Sequence, residues 1–283
     1  MTIPQVELIV GLTDEAVTDL TSVFHRVNNV LPEDQEAHFI SFETSVAEAL
    51  TLMKAKNFSQ IPIKAGSEVL GVFSYRSFIN KIPEIIGEKV DLKQLQVGDF
   101  MEGMDFVNVL EDLTKTLDVL DKKDVVLIGS RDDLKGLLTP IDLVRYLYKL
   151  SSPFVLLGEI ERALRNIIRS CATQEQLQEM AKATLSKTYQ PDEMPKSLEE
   201  MTFNDYVQIV GDGRTWKNFE GAFGLSDWKR KNTRTKLEEI RDLRNDTFHF
   251  KRDLLETDIN QLVSHRDWIK NVLTAYQAKM AGR

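Results

Sequence analysis

The stretch Leu134-Lys-Gly-Leu-Leu-Thr-Pro-Ile-Asp142 decides the fold of the first half of the chain, because Val69-Leu-Gly-Val-Phe-Ser-Tyr-Arg-Ser77 has the same pattern 65 residues earlier. Each stretch is an apolar run around a glycine, followed by a hydroxyl residue that can cap a helix. A second apolar run, Ile61-Pro-Ile63 or Val126-Leu-Ile128, stands before each of them. The pattern therefore predicts two copies of a strand pair followed by a helix.

An amphipathic helix is predicted before each strand pair. Its apolar residues share one stripe in Thr44 to Met53, and Leu113 to Leu120 repeats the pattern at an offset of 67. Each copy is thus predicted to be helix, strand, strand, helix. A unit of this size cannot bury its own sheet, so we expect two copies to pack about a pseudo-twofold axis with clefts between them.

The end of each copy resembles the terminal signature of CBS repeats, Gly-apolar-apolar-Ser/Thr-x-x-Asp. The matching stretches are Gly71-Val-Phe-Ser-Tyr-Arg-Ser77 and Gly136-Leu-Leu-Thr-Pro-Ile-Asp142. The resemblance covers residues 39–150 as tandem repeats, 39–90 and 91–150, which together form a CBS pair or Bateman module. CBS pairs commonly bind AMP, ATP or related adenine compounds between the repeats, so the resemblance implies an adenine nucleotide as a regulatory ligand.

The chemistry of the signature suits a nucleotide. The hydroxyl lies at a helix start beside unpaired N–H groups that can bind phosphate, and a carboxylate one turn later can bind both hydroxyls of a ribose. Thr139 and Asp142 have these groups in the second copy. The first copy has Ser74 as its hydroxyl, but Ser77 replaces the carboxylate and is a poorer acceptor for two hydroxyls. We therefore expect one competent cleft.

Two residues before the cleft complete the predicted ligand site. Ile63 is assigned as a wall for the adenine and Lys64 as a cation. The alternative is that Thr139 only caps a helix, that Asp142 is a first-turn acid favoured by the helix dipole, and that the CBS pair only dimerises. The residues do not separate AMP from ATP, a dinucleotide or a cyclic oligonucleotide.

The apolar period becomes helical after Ser151-Ser-Pro153, which predicts an all-α bundle over residues 151–283. Its tryptophans, Trp216, Trp228 and Trp268, are interpreted as core. Helices are predicted at Phe154 to Cys171, Gln174 to Ser186, Thr202 to Val210, Trp216 to Ala222, Asn232 to Arg244 and Thr257 to Lys279, with a linker at Lys187 to Lys196.

The bundle carries a distinctive run, Arg244-Asn-Asp-Thr-Phe-His249, at the end of a charged helix. Arg244, Asn245 and His249 match the HEPN signature, Arg-x4-His with a polar residue after the arginine, and Glu159-Ile-Glu-Arg-Ala-Leu-Arg165 is similar to that family's first helix. The likeness spans Phe154 to Leu273. It implies a metal-independent endoribonuclease with these three residues as its catalytic groups.

Metal-independent RNA cleavage needs groups that take the 2'-OH proton, protonate the leaving 5'-oxygen and neutralise the phosphorane. His249 can be acid or base near neutral pH, and Arg244 stays charged and binds phosphate oxygens. Asn245 lies four residues from His249 and hence on the same helix face. Arg244 is rotated from His249 by about 140°. The HEPN resemblance implies a homodimer that brings two motifs to one groove.

Alternatives remain for this motif. In the alternative, Arg244 pairs with a bundle acid such as Asp246 or Glu239, and His249 caps the helix end. The bundle is then a binding module that docks a protein partner. Asp246 lies inside the motif and would repel a phosphate unless it points elsewhere or pairs with Arg241. Whether the chain is an enzyme therefore stays open at this point.

Charge is divided unequally between the two halves. The net charge is -8, but residues 1–150 carry 15 basic and 24 acidic residues, whereas residues 151–283 carry 21 and 20. Lys229 to Arg252 holds nine basic and four acidic residues, which suits an RNA phosphate. The single cysteine, Cys171, and four scattered histidines predict no disulfide and no metal site.

The N-terminal residues 1–38 are interpreted as a helix, Asp14 to Asn29, and a turn, Pro32 to Glu36. Met1 to Val10 lacks an export signal, and no apolar run approaches the roughly 20 residues of a membrane span, so we expect a cytoplasmic protein. The combined prediction is a nucleotide sensor whose CBS pair regulates an endoribonuclease domain, suited to stress or antiviral defence. The alternative is a non-catalytic nucleotide sensor.

Overall fold

The computed structural model describes residues 26–31, 37–85 and 91–282, which form two compact units, Met1–Leu147 and Tyr148–Arg283. The described part of the first unit contains strands and helices, and that of the second contains helices and loops. This confirms the predicted α+β N-terminal region followed by a helix-rich part. Within the described ranges, no helix combines the length and the apolar character that a bilayer crossing requires.

The first unit consists of two copies of one arrangement. The first copy contains β1 (Ile40–Ser41), α1 (Val46–Lys56), β2 (Gln60–Ala65), β3 (Glu68–Ser74) and α2 (Tyr75–Ile85). After it come α3 (Val97–Phe100), β4 (Phe106–Val107), α4 (Leu113–Leu120), β5 (Val126–Gly129) and β6 (Leu134–Leu138). The strands form two sheets, β1-β2-β3 and β4-β5-β6, in which the first pair is parallel and the second antiparallel.

Helix α1 shows why the predicted elements form where they do. The Ser45 side chain accepts a hydrogen bond from the Glu48 backbone, and the Glu48 side chain accepts one from the Ser45 backbone. This capping box satisfies backbone donors that the first turn leaves open. The helix ends at Asn57, whose left-handed φ of 56° suits an asparagine. Val46 and Met53 face the core, as predicted.

The segment before the second copy packs on the first copy. The backbone N–H of Val97 donates to the Thr44 carbonyl at 2.9 Å, and that of Gly98 donates to the Phe42 carbonyl at 3.1 Å. Val97 has no exposed surface and lies in the core of the first copy, together with Phe100. A segment that follows the first copy in sequence, and leads into the second, therefore completes the first copy's core.

The segment before the first copy packs on the second in the same way. The Val27 N–H donates to the Glu111 carbonyl at 3.2 Å, and the Asn28 N–H donates to the Val109 carbonyl at 3.0 Å. Residues Val27–Asn29 form a 3-10 helix, so the predicted helix does not continue here, and its residues 14–25 lie outside the described ranges. Val27 is fully buried in the second copy's core. The two copies thus exchange their leading segments.

A further apolar cluster joins the two sheets. Val69 and Val72 of the first copy pack with Val125 and Leu127 of the second, and all four have at most 1% exposed surface. Burying side chains of this size contributes about 1.5–3 kcal/mol each. The copies therefore stabilise one another, as expected for units too small to fold alone.

The described residues of the second unit contain five complete helices and most of a sixth. The helices are α5 (Pro140–Cys171), α6 (Gln174–Leu185), α7 (Phe203–Gly211), α8 (Trp216–Phe223), α9 (Asp227–Phe248) and α10 (Glu256–Ala281). The predicted start of this helix at Phe154 is wrong, because α5 begins at Pro140 and continues through Pro153. A proline removes one helical hydrogen bond, and burial of Leu156 and Leu157 in the following turn stabilises the helix beyond it.

The helical unit has a single large core cluster that includes the fully buried Tyr206 and Phe219. Trp216 is buried and Trp268 packs against the cluster, as predicted. The core assignment of Trp228 is wrong, since 65% of this residue is exposed. It lies in the first turn of α9, where the apolar stripe of that helix has not begun.

Candidate functional site

Thr139 and Asp142 form a reciprocal cap at the start of α5. The backbone N–H and the hydroxyl of Thr139 donate to Asp142 Oδ2 at 3.0 Å and 2.5 Å. The Asp142 N–H donates to the Thr139 carbonyl at 3.1 Å. The structure thus brings together the two residues that the sequence assigned to a ribose and phosphate site.

The second carboxylate oxygen of Asp142 is not used by the cap. Oδ1 accepts no hydrogen bond from any residue within the described ranges, and the nearest cation, the Arg145 guanidinium, is 3.7 Å away. Asp142 is 9% exposed, whereas the Arg145 side chain is 74% exposed. Arg145 was not predicted from the sequence, although a residue three positions after Asp142 on a helix is close enough to pair with it.

The first copy has a related cap made from two hydroxyls. The Ser74 N–H donates to Ser77 Oγ at 2.9 Å, and the Ser77 N–H donates to Ser74 Oγ at 2.9 Å. Each hydroxyl then donates onward, Ser77 to the Ser74 carbonyl at 3.0 Å and Ser74 to Glu102 Oε1 at 3.2 Å. Both serines are buried, and their hydroxyl protons are already committed within the protein.

The glycine of the signature is required in the first copy. A Cβ on Gly71 would lie 2.4 Å from the Glu102 carbonyl oxygen, so no other residue fits without displacing backbone. The close approach allows Val72 and Glu102 to pair as an antiparallel bridge, with hydrogen bonds of 3.0 Å and 3.1 Å. A glycine at this position of the signature permits a close backbone approach, and here the approaching group is the backbone of Glu102.

Ile63 and Lys64 are placed differently from the other candidate ligand residues. Ile63 has no exposed surface and belongs to the core of the first copy, so its side chain offers no face to an adenine. Lys64 Nζ lies 3.5 Å from the centroid of the Phe39 ring, in a cation–π contact. Across the described ranges, no hydrogen bond or ion pair joins either residue to Thr139 or Asp142.

Arg244 is held by the first helix of the second unit. Its Nε lies 3.7 Å from Glu161 Oε2, an ion pair too long for a hydrogen bond, and its guanidinium carbon lies 4.9 Å from the Phe248 ring centroid. The side chain is 29% exposed. Arg244 is thus paired with a bundle acid, as in the structural alternative, but the acid is Glu161 of α5 and not Asp246 or Glu239.

Glu161 links Arg244 to a larger polar network. Its Oε1 also accepts from Arg165 at 2.5 Å, and Arg165 Nε donates to the Tyr206 hydroxyl at 2.8 Å. The Tyr206 hydroxyl in turn donates to the Leu198 carbonyl at 2.6 Å. The segment Glu159 to Arg165 therefore contacts Arg244 directly, through Glu161.

His249 ends helix α9 and Asn245 lies one turn before it. The His249 N–H donates to the Asn245 carbonyl at 3.2 Å, and the imidazole is exposed with no hydrogen bond to any described residue. His249 does occupy the helix-end position that the structural alternative gave it. No hydrogen bond connects its side chain with that of Arg244 in the part of the chain that the structure describes.

The turn after His249 ends helix α9 with a defined backbone conformation. Phe250 has a left-handed φ of 50°, its N–H donates to the Thr247 carbonyl at 3.4 Å, and the Lys251 N–H donates to the Asp246 carbonyl at 3.1 Å. This is the Schellman arrangement, in which glycine usually takes the left-handed position. A phenylalanine there costs about 1 kcal/mol or more, and residues held in this way cluster at functional sites.

The acid inside the motif has a partner of its own. Asp246 Oδ2 accepts from Arg252 Nε at 2.9 Å, whereas Arg241, the partner considered from sequence, donates to Asp242 at 2.9 Å. Pairing with Arg241 is therefore wrong. Arg252 neutralises Asp246, which reduces the repulsion that this acid would exert on a phosphate.

The comparisons with known proteins bear on the first unit. Residues 33–84 match the family model described as "CBS domain". The chain contains a CBS domain. The match covers the first copy, including Ser74 and Ser77 of its terminal signature. A search of curated proteins finds no match to the chain.

Several solved CBS structures are similar to the same part of the chain. Hypoxic Response Protein I with two coordinated zinc ions is 15% identical and CBSX2 in complex with AMP is 23% identical. A CBS domain-containing protein of unknown function from Bacillus anthracis is 16% identical. Each covers 44% of this chain and 99%, 98% and 93% of its own, with a TM-score of 0.38. At these scores the similarities carry no functional information.

Proposed function

We propose that this chain is an adenine-nucleotide sensor whose CBS pair regulates a HEPN-like, metal-independent endoribonuclease in the helical unit. The observation that carries the sensing half is Oδ1 of Asp142 at the first turn of α5, which accepts no hydrogen bond from a described residue and is paired with the exposed Arg145 at 3.7 Å. The nuclease half is supported by the exposed His249 and the half-buried Arg244. A cytoplasmic role in stress or antiviral defence belongs to the same proposal.

The nucleotide contacts follow from the cap. A ribose hydroxyl donates to Asp142 Oδ1 while Oδ2 keeps Thr139 in place, and the phosphate is bound at the helix N-terminus with Arg145 as its cation. Ser74 and Lys64 are left out of the contacts, since their side chains already have partners in Glu102 and Phe39. Ile63 is left out because it is fully buried.

The proposed RNA cleavage is an internal transesterification. One His249 takes the proton of the 2'-OH as its oxygen attacks phosphorus, and the P–O5' bond breaks. A protonated imidazole from a second copy gives its proton to the leaving 5'-oxygen, which leaves a 2',3'-cyclic phosphate and a 5'-OH. Arg244 stabilises the charge on the phosphorane, and Asn245 orients the imidazole.

A homodimer is part of the proposal, and exposed apolar side chains of the first unit support it. Tyr75 and Ile79 on α2 are 40% and 62% exposed, and Ile141 and Val144 on α5 are 52% and 58% exposed. Ile79 and Val144 occupy equivalent positions, because they are 65 residues apart. Apolar patches that repeat on both copies are suited to a symmetric contact with a second chain.

Regulation requires that the ligand prefer one arrangement of the protein. Helix α5 carries Asp142 in its first turn and also carries Glu161, the residue that holds Arg244. A nucleotide that shifts the start of α5 can therefore alter the hold on Arg244. Couplings of this kind are about 1–3 kcal/mol. We therefore expect the bound nucleotide to change the cleavage rate by about 5- to 150-fold.

The test combines a binding and a cleavage measurement on the full chain. Wild type, Asp142→Ala and His249→Ala are incubated with mixed RNA and EDTA, with and without AMP or ATP, and the same proteins are melted with each nucleotide. We expect cleavage only when His249 is present, regulation by nucleotide only when Asp142 is present, and a nucleotide-induced rise in melting temperature that Asp142→Ala removes. Cleavage that persists in His249→Ala contradicts the nuclease assignment.

The second candidate is a non-catalytic nucleotide sensor whose helical unit docks a protein partner. The ion pair of Arg244 with Glu161 favours it, because an arginine tied to a bundle acid has a structural role already. This candidate predicts the same Asp142-dependent thermal shift with no His249-dependent RNA products. The RNA-cleavage assay therefore distinguishes the nuclease from the non-catalytic sensor.

A further inference from the structure

Helices α6, α7 and α9 of the second unit enclose a polar cleft of about 400 Å³, within the usual range of small-ligand sites. Four basic side chains and two acidic ones line it. The basic residues are Lys187, Arg214, Arg234 and Arg241, and the acidic ones are Asp212 and Glu238. The cleft therefore has an excess of positive charge in a chain whose net charge is -8.

Two arginines of the cleft have terminal N–H groups that donate to no described residue. Arg234 uses Nε for Glu238 at 2.9 Å, and its two terminal nitrogens donate to no described residue. Arg214 uses Nε and one terminal nitrogen for Asp212, at 2.9 Å and 2.7 Å, which leaves the other terminal nitrogen unused. A guanidinium with free terminal N–H groups can bind phosphate oxygens without losing its existing partner.

The electrostatics of the cleft favour an anion. Hydrogen bonds from the Arg214 side chain, followed by its backbone N–H and the charges of Arg214 and Arg234, lower the pKa of Asp212 to about 2 despite partial burial. A carboxylate that stays ionised so far below its usual pKa lies in a positive potential. An anion that enters meets four basic side chains against the two carboxylates of Asp212 and Glu238.

The position of Arg234 is fixed by a close contact with the end of α7. A Cβ on Gly211 would lie 2.9 Å from Arg234 Cγ and 3.1 Å from its Cβ and Cδ, so only glycine leaves room for the arginine stem. Arg230 also contacts the end of α7, where it donates a 2.9 Å hydrogen bond to the Gly211 carbonyl. Arg234 is thus held at the wall of the cleft before any ligand arrives, which lowers the cost of binding.

We propose that this cleft binds a phosphate-bearing ligand, with Arg234 and Arg214 donating to the phosphate oxygens and Lys187 adding charge at the rim. The phosphate comes either from a polynucleotide backbone or from a free nucleotide. Arg234, Arg241 and Asn245 share one face of α9, at spacings of seven and four residues, so a polynucleotide in the cleft extends towards the His249 end of the helix. The proposed phosphate site does not depend on the proposed nuclease activity.

The test uses the full chain with Asp142→Ala in every sample, so that the nucleotide site proposed for the first unit does not contribute. The probes are a labelled unstructured RNA hexamer, AMP and pyrophosphate, with affinities measured by anisotropy or calorimetry at low salt. Arg234→Gln is expected to weaken binding about tenfold or more, the scale of charge-assisted hydrogen bonds to phosphate. The control, Lys229→Ala, removes a charge from α9 outside the cleft and is expected to change affinity less than twofold.

Arg214→Gln is the second variant, because this side chain is 62% exposed and its loss leaves the core intact. Weakened binding of RNA alone assigns the site to a polynucleotide, and weakened binding of AMP or pyrophosphate as well assigns it to a free phosphate. The proposal is overturned if neither variant lowers the affinity for any probe more than Lys229→Ala does. The measurement is of binding and not of cleavage, so a failure of the cleavage assay leaves this result unaffected.

Discussion

The two copies of the first unit begin their last helices with one shared hydrogen bond, from a backbone N–H to the side chain three residues later, but with different side chains. Ser74 and Ser77 close the cap in the first copy, and Thr139 and Asp142 close it in the second. The first copy shows that a hydroxyl is sufficient to complete this cap. The second oxygen of Asp142 is therefore surplus to folding, which is why we assign it to a ligand.

The largest expected effect comes from making the second copy like the first. Asp142→Ser keeps a cap acceptor but removes the surplus oxygen, so we expect the affinity for adenine nucleotide to fall at least 100-fold, about 2.8 kcal/mol. Calorimetric titration with AMP and ATP measures it. The melting temperature without ligand is expected to stay within a few degrees of wild type, and a large fall would show that the carboxylate serves the fold.

The reverse change makes the first copy like the second. Ser77→Asp places a carboxylate in a buried position near Ser74, whose hydroxyl already donates to Glu102. Two carboxylates close together in a buried site repel, and we expect the free energy of unfolding to fall by about 2.5 kcal/mol. Urea denaturation measures the loss.

The matched control for this change is the double variant Ser77→Asp with Glu102→Gln, which removes the second charge. It is expected to recover at least half of the lost stability. Equal stabilities for the single and the double variant would show that Glu102 is not what keeps a carboxylate out of the first copy.

The exchanged leading segments allow a test of equivalence between the copies. Val27 in the second copy's core and Val97 in the first copy's core are both fully buried. Val27→Ala and Val97→Ala are each expected to lower the free energy of unfolding by about 2 kcal/mol, from lost burial and a small cavity. Val144→Ala, at a residue 58% exposed, is the control in the same urea experiment. A negligible cost for Val27 alone would show that the exchange is one-sided.

The smallest expected effect concerns the caps of α1 and α4. Asp112 accepts from the Thr114 N–H at 2.9 Å, and this bond, with one from the Thr114 hydroxyl, lowers the pKa of Asp112 below 3.8. Its contribution is therefore fully present above pH 3.8 and is lost as the pH falls through the lowered pKa. Ser45 caps α1 without an ionisable group of its own.

The expected result is a difference in melting temperature between wild type and Asp112→Asn that is small at pH 6 and shrinks below pH 3.8. Ser45→Ala is the comparison, and its own deficit is expected to vary less over the same range. A difference for Asp112→Asn that does not change with pH would assign the cap to hydrogen bonding alone.

Most of the elements could be predicted from the sequence, because their signals are local. The structure places α4 at Leu113–Leu120, the residues predicted, and α6 differs from its prediction by one residue. Strands β1 and β4 were missed, since two residues show no periodicity and become strands only by pairing with β2 and β5. Of the candidate site residues, Thr139 and Asp142 are joined because they are three residues apart at a helix start.

Residues whose contacts come from distant parts of the chain could not be predicted in this way. Ile63 was assigned to a ligand but is core, and the sequence gives no sign of which strand face is covered. The partner of Arg244 was sought among nearby acids, and the structure supplies Glu161 from another helix. The cleft around Arg234 needs three helices and has no sequence signature.

The sequence by itself determined the duplication, the change from strand to helical period and the residue types of both candidate sites. These follow from side-chain spacing and capping groups, which act over about four residues of backbone. The tertiary structure decided the exchange of leading segments, the oxygen of Asp142 that remains unused and the acid that holds Arg244. Such contacts join residues far apart in the chain, and their formation depends on which surfaces the packed core leaves available.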